Sequence, residues 1–204
     1  MKEIAKKILN GGMNSISEFG VQSFSVDDLS DNLSMSKRTI YKYFPSKDIL
    51  VTKIFDYFLT KIDRDIHDIL EQENESIILF IKLTKLMFDK NIKLSSFKLL
   101  KIKSKYPNAW NSIEVFREKK KYQIQQLILK CKNDGYINKD IDERLTSILH
   151  MRIIQIIIDP EYLINNNLSP SDTLTTYLRI AVRGLLTKKG INYLQKNKVN
   201  AQWI

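Results

Sequence analysis

The residues best suited to chemistry in this chain are basic and hydroxylic, and they cluster. From Ser36 to Lys47 the sequence reads SKRTIYKYFPSK. On a short helix this places Lys37, Arg38, Tyr41 and Lys42 on one outward side, with Thr39 and Tyr43 at its flanks. Cationic and hydroxyl groups on an exposed helix suit phosphate oxygens and the base edges of a major groove. Other chemistries lack a constellation. His67 and His150 are far apart and have no ligand-spaced companions, so no metal site is expected. No glycine-rich phosphate loop and no activated nucleophile pattern occurs. The single cysteine, Cys131, falls on an apolar-periodic helix and reads as a buried thiol. Neither a cofactor nor a catalytic residue is expected, which points away from an enzyme.

Three helix starts in succession must position the basic cluster. Ser25 precedes Val26, with Asp28 at the third helical position, a capping-box-like start flanked by Phe24 and Leu29 at staple positions. Ser36 repeats the pattern for a helix from Lys37 to Tyr43, with Met35 and Ile40 as the staple. Pro45 stops that helix, because a residue before proline is disfavoured in helical geometry. Ser46 caps a third helix that carries Asp48 in its first turn, where a negative charge suits the dipole. Val26, Leu29, Leu33, Ile40 and Phe44 fall where the first two of these helices would pack, joined by the turn Ser34-Met35-Ser36. The pattern predicts a helix-turn-helix.

At these residues the sequence resembles the TetR-type transcriptional regulators. SKRTIYKYFPSKDIL is similar to their DNA-binding signature, and the likeness extends back to Ile8 through the first three helices. Two departures stand out. Gly11-Gly12 occupy positions where small alanines are usual, which should loosen the first helix by roughly 1 kcal/mol per glycine. Ser34 stands where the turn usually has glycine, so a serine must take a conformation glycine takes more easily. The resemblance implies a dimeric regulator, most often a repressor, that binds a palindromic DNA operator and releases it on binding a small-molecule effector. Lys37 and Arg38 are then expected to read bases, with Tyr41 and Lys42 beside them. Ser25, Ser36, Thr39, Tyr43 and Lys47 are expected to contact phosphates.

Composition agrees with a helical protein. The chain has 204 residues, 43% of them hydrophobic, with only 6 glycines and 4 prolines, enough for a sizeable core and long helices. No apolar run reaches transmembrane length and the N-terminus lacks a signal-peptide core, so a cytoplasmic protein away from the membrane is expected. The net charge is +10, yet the first 48 residues are nearly balanced. Lys2, Lys6, Lys7, Lys37, Arg38, Lys42 and Lys47 face Glu3, Glu18, Asp27, Asp28, Asp31 and Asp48. Net charge thus supports DNA binding only through the local cluster.

Helical periodicity predicts an all-α protein of about nine main helices, a three-helix DNA-binding domain at 1–48 and a helical bundle at 49–204. Helices are expected at 2–19, from Lys47 to about Glu71, at 75–90, from Ser95 to about Lys105, at 109–133, at 141–159 and at 171–188. A break is expected at Asn91–Leu94, a loop at 160–170, and a stop at Gly190. No assignment is made for the tail ending in Trp203. The 141–159 helix is apolar almost all round and the 171–188 helix has surplus apolar surface, which predicts a four-helix interface between two copies; a monomeric core is the alternative. Aromatic and methionine residues between 80 and 155 make Phe88, Phe97, Trp110, Phe116, Tyr122 and Met151 candidates for the effector pocket that the resemblance implies. Lys90, Lys93, Lys98, Lys101, Lys103 and Lys105 form a basic stretch, read first as a solvated face and second as an attractor of an anionic effector. Two competing functions remain: a DNA-binding protein without an effector, and a helical ligand-binding protein with a vestigial DNA-binding motif.

Overall fold

The computed structural model of the protein describes residues 3–95, 99–157 and 159–197, leaving aside the side chains of 91–101, 160 and 161. The described residues form eleven helices: α1 (Glu3–Phe19), α2 (Val26–Leu33), α3 (Lys37–Tyr43), α4 (Lys47–Gln72), α5 (Ser76–Ser95), α6 (Leu99–Lys105), α7 (Pro107–Asn133), α8 (Glu143–Ile156), α9 (Pro160–Asn165), α10 (Pro170–Leu185) and α11 (Lys188–Lys196). Among them there is no strand, only an isolated antiparallel bridge between Ile137 and Leu186.

The all-α expectation holds, and the count of nine rises to eleven for local reasons. Asn91–Leu94 does not break the chain, because it contains neither glycine nor proline, and α5 runs on to Ser95. Pro107 opens α7 at its first position, where a missing N–H and a fixed φ are suitable. The expected loop after Pro160 begins instead with a short helix. Asp159, held extended before the proline, accepts the Tyr162 N–H at 2.9 Å and caps α9. Ser169 before Pro170 repeats the device for α10. Gly190 is not a stop. It lies inside α11, and a Cβ there would come within 2.5 Å of the Tyr136 carbonyl oxygen, so glycine permits a close approach. Thr187, the α11 cap, donates to the Gly135 carbonyl at 2.7 Å and fixes the same junction. Trp203 lies outside the described residues.

Contacts divide the chain into two compact units. The first comprises Met1–Arg64 and Lys93–Arg117, the second Asp65–Ile92 and Glu118–Ile204. In the first, Ile8, Ile16, Phe24, Leu29, Ile40, Leu50, Ile54 and Phe55 are fully buried. The two glycines of α1 have a packing role. A Cβ on Gly12 would lie 2.4 Å from the Ile54 side chain of α4, and one on Gly11 would lie 2.9 Å from Leu33 of α2. Their low helix propensity is the counterpart of this close packing.

In the second unit, α8 presents two apolar stripes. Ser147, His150, Met151 and Ile154 point inward and are buried, whereas Leu145, Ile148, Leu149 and Ile156 are exposed on the opposite side. On α10, Leu174, Leu178 and Val182 are buried while Ile180 is exposed. His150 is a satisfied core histidine. Its Nδ1 lies 2.7 Å from the Tyr177 hydroxyl and its Nε2 lies 3.2 Å from the Thr84 hydroxyl. Burial pushes its pKa down to about 4. Cys131 is buried too, and burial pushes its thiol up to about 11.

Candidate nucleic-acid interface

The recognition segment is built by caps and one left-handed residue. Ser25 is extended and its hydroxyl oxygen accepts the Asp27 N–H at 3.1 Å, starting α2. Ser34 ends α2 at φ 51° and ψ 45°, the left-handed region that usually favours glycine. The Met35 N–H donates to the Ser30 carbonyl at 2.9 Å and the Ser34 N–H to the Asp31 carbonyl at 3.0 Å, closing a Schellman-type turn. Ser36 restarts the chain as the α3 cap, accepting the Thr39 N–H at 3.1 Å, with the two hydroxyl oxygens 2.9 Å apart. Phe44, extended before Pro45, ends α3. Ser46 then accepts the Ile49 N–H at 3.1 Å at the head of α4.

Burial sorts α3 into two faces. Ile40 and the adjoining Phe44 are buried with Val26 and Leu29 of α2. Lys37, Arg38, Tyr41 and Lys42 are exposed, and Thr39 and Tyr43 are half-buried. The structure thus brings four of the expected DNA-contacting side chains onto one solvent face. The capping hydroxyl of Ser25 uses an acceptor position for the cap and keeps an O–H to donate.

Two cations have partners that sequence reasoning missed. The Lys37 ammonium pairs with the Asp27 carboxylate of α2, and this hydrogen bond and charge raise the Lys37 pKa above its usual value. Lys47 is half-buried. Its ammonium donates to the Phe24 carbonyl at 2.5 Å and lies 5.7 Å from the Phe24 ring centroid. Burial lowers its pKa, with the charge of Lys105 acting in the same direction. Nothing in the ten-residue separation of Asp27 and Lys37 signals this pair. Beside Lys47, Asn108 donates to the Asp48 carboxylate at 3.3 Å.

The effector candidates are distributed over both units. Phe88 and Met151 are buried in the second unit. Phe116 is buried and Trp110 half-buried in the first. Tyr122, in the second unit, is 61% exposed. Phe97 lies outside the described side chains, as do Lys93, Lys98 and Lys101 of the basic stretch. Lys90 pairs with Asp65 at 2.5 Å. His67 is exposed and pairs with Glu71 at 3.0 Å. Among the described residues no group of three metal-ligating side chains comes together, and no helix is long and apolar enough to cross a membrane.

A capped helix-turn-helix with a basic outer face is an arrangement suited to a DNA groove. The family model of the bacterial regulatory proteins, tetR family, matches residues 8–54. The chain is 26% identical over 181 residues to the uncharacterized HTH-type transcriptional regulator YvaF of Bacillus subtilis, covering 88% of this chain and 94% of YvaF. Solved structures share the fold. A transcriptional regulator from Saccharomonospora viridis in complex with choline matches with a TM-score of 0.81 at 13% identity, over 92% of this chain and 100% of that one. The ketosteroid transcriptional regulator KstR2 of Mycobacterium tuberculosis matches with a TM-score of 0.65 at 16% identity, over 92% and 97%. In its first quarter the chain is similar to the bacterial regulatory proteins of the tetR family, and along most of its length it shares their fold.

Proposed function

We propose that the protein is a repressor that binds a palindromic operator as a homodimer in the cytoplasm and is released by a small, largely apolar effector. The observation that carries this reading is the sorting of α3, with Ile40 fully buried beneath an exposed Lys37, Arg38, Tyr41 and Lys42. Arg38 and Lys37 read bases, with Tyr41 and Lys42 beside them. Ser25, Ser36, Thr39, Tyr43 and Lys47 hold phosphates, Lys47 with the ammonium hydrogens that the Phe24 carbonyl does not take. Residues 1–48 act as the DNA-binding domain and 49–204 as the sensing and dimerisation domain.

The second copy docks on α8 and α10. Leu145, Ile148, Leu149 and Ile156 form an exposed stripe on a single protomer, and Ile180 extends the apolar surface on α10. Stripes of this kind mark interfaces. Choline in the S. viridis structure and the ketosteroid in the name of KstR2 support a small-molecule effector here. Effector binding favours one of two conformations. It shifts α4 and takes the two recognition helices away from a spacing of about 34–36 Å.

Selection of duplexes from a random pool, followed by footprinting, tests the reading. A two-fold symmetric footprint that a stabilising small molecule relieves is the expected result. A ligand screen that raises the melting temperature but never alters DNA affinity would sink the switch, and a folded monomer at micromolar concentration would sink the dimer.

A further inference from the structure

We propose that Asp27 is an intramolecular counter-ion for the recognition helix: it holds the Lys37 ammonium where DNA must displace it, and so lowers affinity for any duplex. The inference rests on the reading of Lys37 as a DNA contact.

Three observations support it. First, the pair joins the two helices of the motif at their starts. Asp27 is the second residue of α2 and Lys37 the first of α3. Second, the pair is open to solvent. The side chains are 55% exposed for Lys37 and 62% for Asp27, so the bond is held by charge and not by burial. An exposed pair of this kind is weak, and a phosphate can replace the carboxylate at little loss. Third, the charge balance of the region fits. The seven cations in residues 1–48 meet six carboxylates, which leaves the DNA-binding segment nearly neutral.

Lys47 shows the contrast. Its partner is the backbone carbonyl of Phe24, a fixed group in a half-buried setting. That bond braces the motif. The Asp27–Lys37 bond has no such shelter, and Asp27 lies two residues from Ser25, a proposed phosphate contact. An approaching backbone therefore meets a carboxylate beside the hydroxyl it is to engage. Either the ammonium leaves Asp27 for the phosphate, or it stays and the site is one cation short. Both outcomes lower affinity without regard to sequence, because phosphate contacts carry no sequence information.

The test is a double-mutant cycle on a random-sequence duplex at low ionic strength, with thermal melting of every variant as a check on the fold. Asp27→Asn keeps the side-chain shape and removes the charge. It should raise random-duplex affinity by roughly two- to fivefold, the range of an exposed ion pair. Asp28→Asn removes an equal charge one residue on and should change affinity less. In a Lys37→Ala background the gain from Asp27→Asn should largely disappear. Equal gains from Asp27→Asn and Asp28→Asn would mean that only net charge matters, and the counter-ion role would be wrong. A gain that persists without Lys37 would overturn it equally, as would no gain beside a Lys37→Ala variant that does weaken binding. If Lys37→Ala alone leaves DNA affinity unchanged, the fault lies in the assignment of Lys37 to the interface, and the counter-ion role falls with it.

Discussion

The outer face of α3 and the outer stripe of α8 present opposite surfaces to water. In α3, seven residues bury one side chain, Ile40, and expose cations and a tyrosine. In α8, fourteen residues bury Ser147, His150, Met151 and Ile154 and still expose three leucines or isoleucines at 40% or more, namely Leu145, Leu149 and Ile156. A helix of two turns has little stability of its own. α3 persists because Ser36 caps it, Pro45 ends it and Ile40 anchors it, so its outer face has no packing role to fill. α8 carries more apolar side chains than its own core takes up, and the surplus faces water.

The largest effects should come from breaking the inner stripe of α8. Ile154 is fully buried, so Ile154→Asp should unfold the protomer, at about 4 kcal/mol or more, since an unpaired charge cannot be buried. Leu178, 1% exposed on α10, belongs to the same class, so neither residue reports on an interface alone. Leu149→Asp sharpens the contrast: this 52% exposed position should keep its helicity and melting behaviour at low concentration yet sediment as a monomer. Circular dichroism and sedimentation on the two variants check the pair.

A smaller effect should appear on acidification. The folded pKa of His150 lies near 4, below the ordinary 6.5. Its neutral form is the one the fold accepts, so its stabilising share is full above about pH 6.5 and is lost as pH falls toward 4. The loss is on the order of 3 kcal/mol at 1.36 kcal/mol per pH unit. Denaturant melts from pH 7 to 4 should show this slope, and His150→Gln should flatten it.

The smallest effects belong to the α3 side. Arg38→Ala should cost roughly 1–3 kcal/mol on the selected operator and much less on random duplex. Equal losses on both would mean that Arg38 touches only phosphate. Lys47→Ala should lower the salt slope by about one. It should also destabilise the DNA-free protein by about 1 kcal/mol, because the Phe24 carbonyl loses its donor. An unchanged slope with lowered stability would assign Lys47 to the scaffold alone.

The helix-turn-helix was legible because its information is local. Ser25, Ser36 and Pro45 each act within three or four residues, and α3 has the bounds that its sequence predicts. Ser34 was legible as an oddity, and it does adopt the left-handed conformation. The misses arose where one residue type serves two purposes. A proline after Asp159 reads as an end, yet with an aspartate cap it is also a beginning. Gly190 reads as a stop, but the Tyr136 carbonyl that requires it is fifty-four residues away. Gly11 and Gly12 read as a loss of propensity, because Leu33 and Ile54 are remote in sequence. The partners of Lys37 and Lys47 were hidden for the same reason. An ion pair across a turn and a lysine on a distant carbonyl follow no period.

The buried thiol near the end of α7 has a practical consequence. A thiolate, not a thiol, attacks a labelling reagent, and Cys131 is withheld twice, by burial and by a pKa of about 11. At neutral pH its modification must wait for the surrounding helices to part. As the single cysteine of the chain, it is a built-in clock for that event. The rate at which an aromatic disulfide labels the untouched wild-type protein measures how often this part of the second unit opens, and any molecule that holds the unit closed slows the clock.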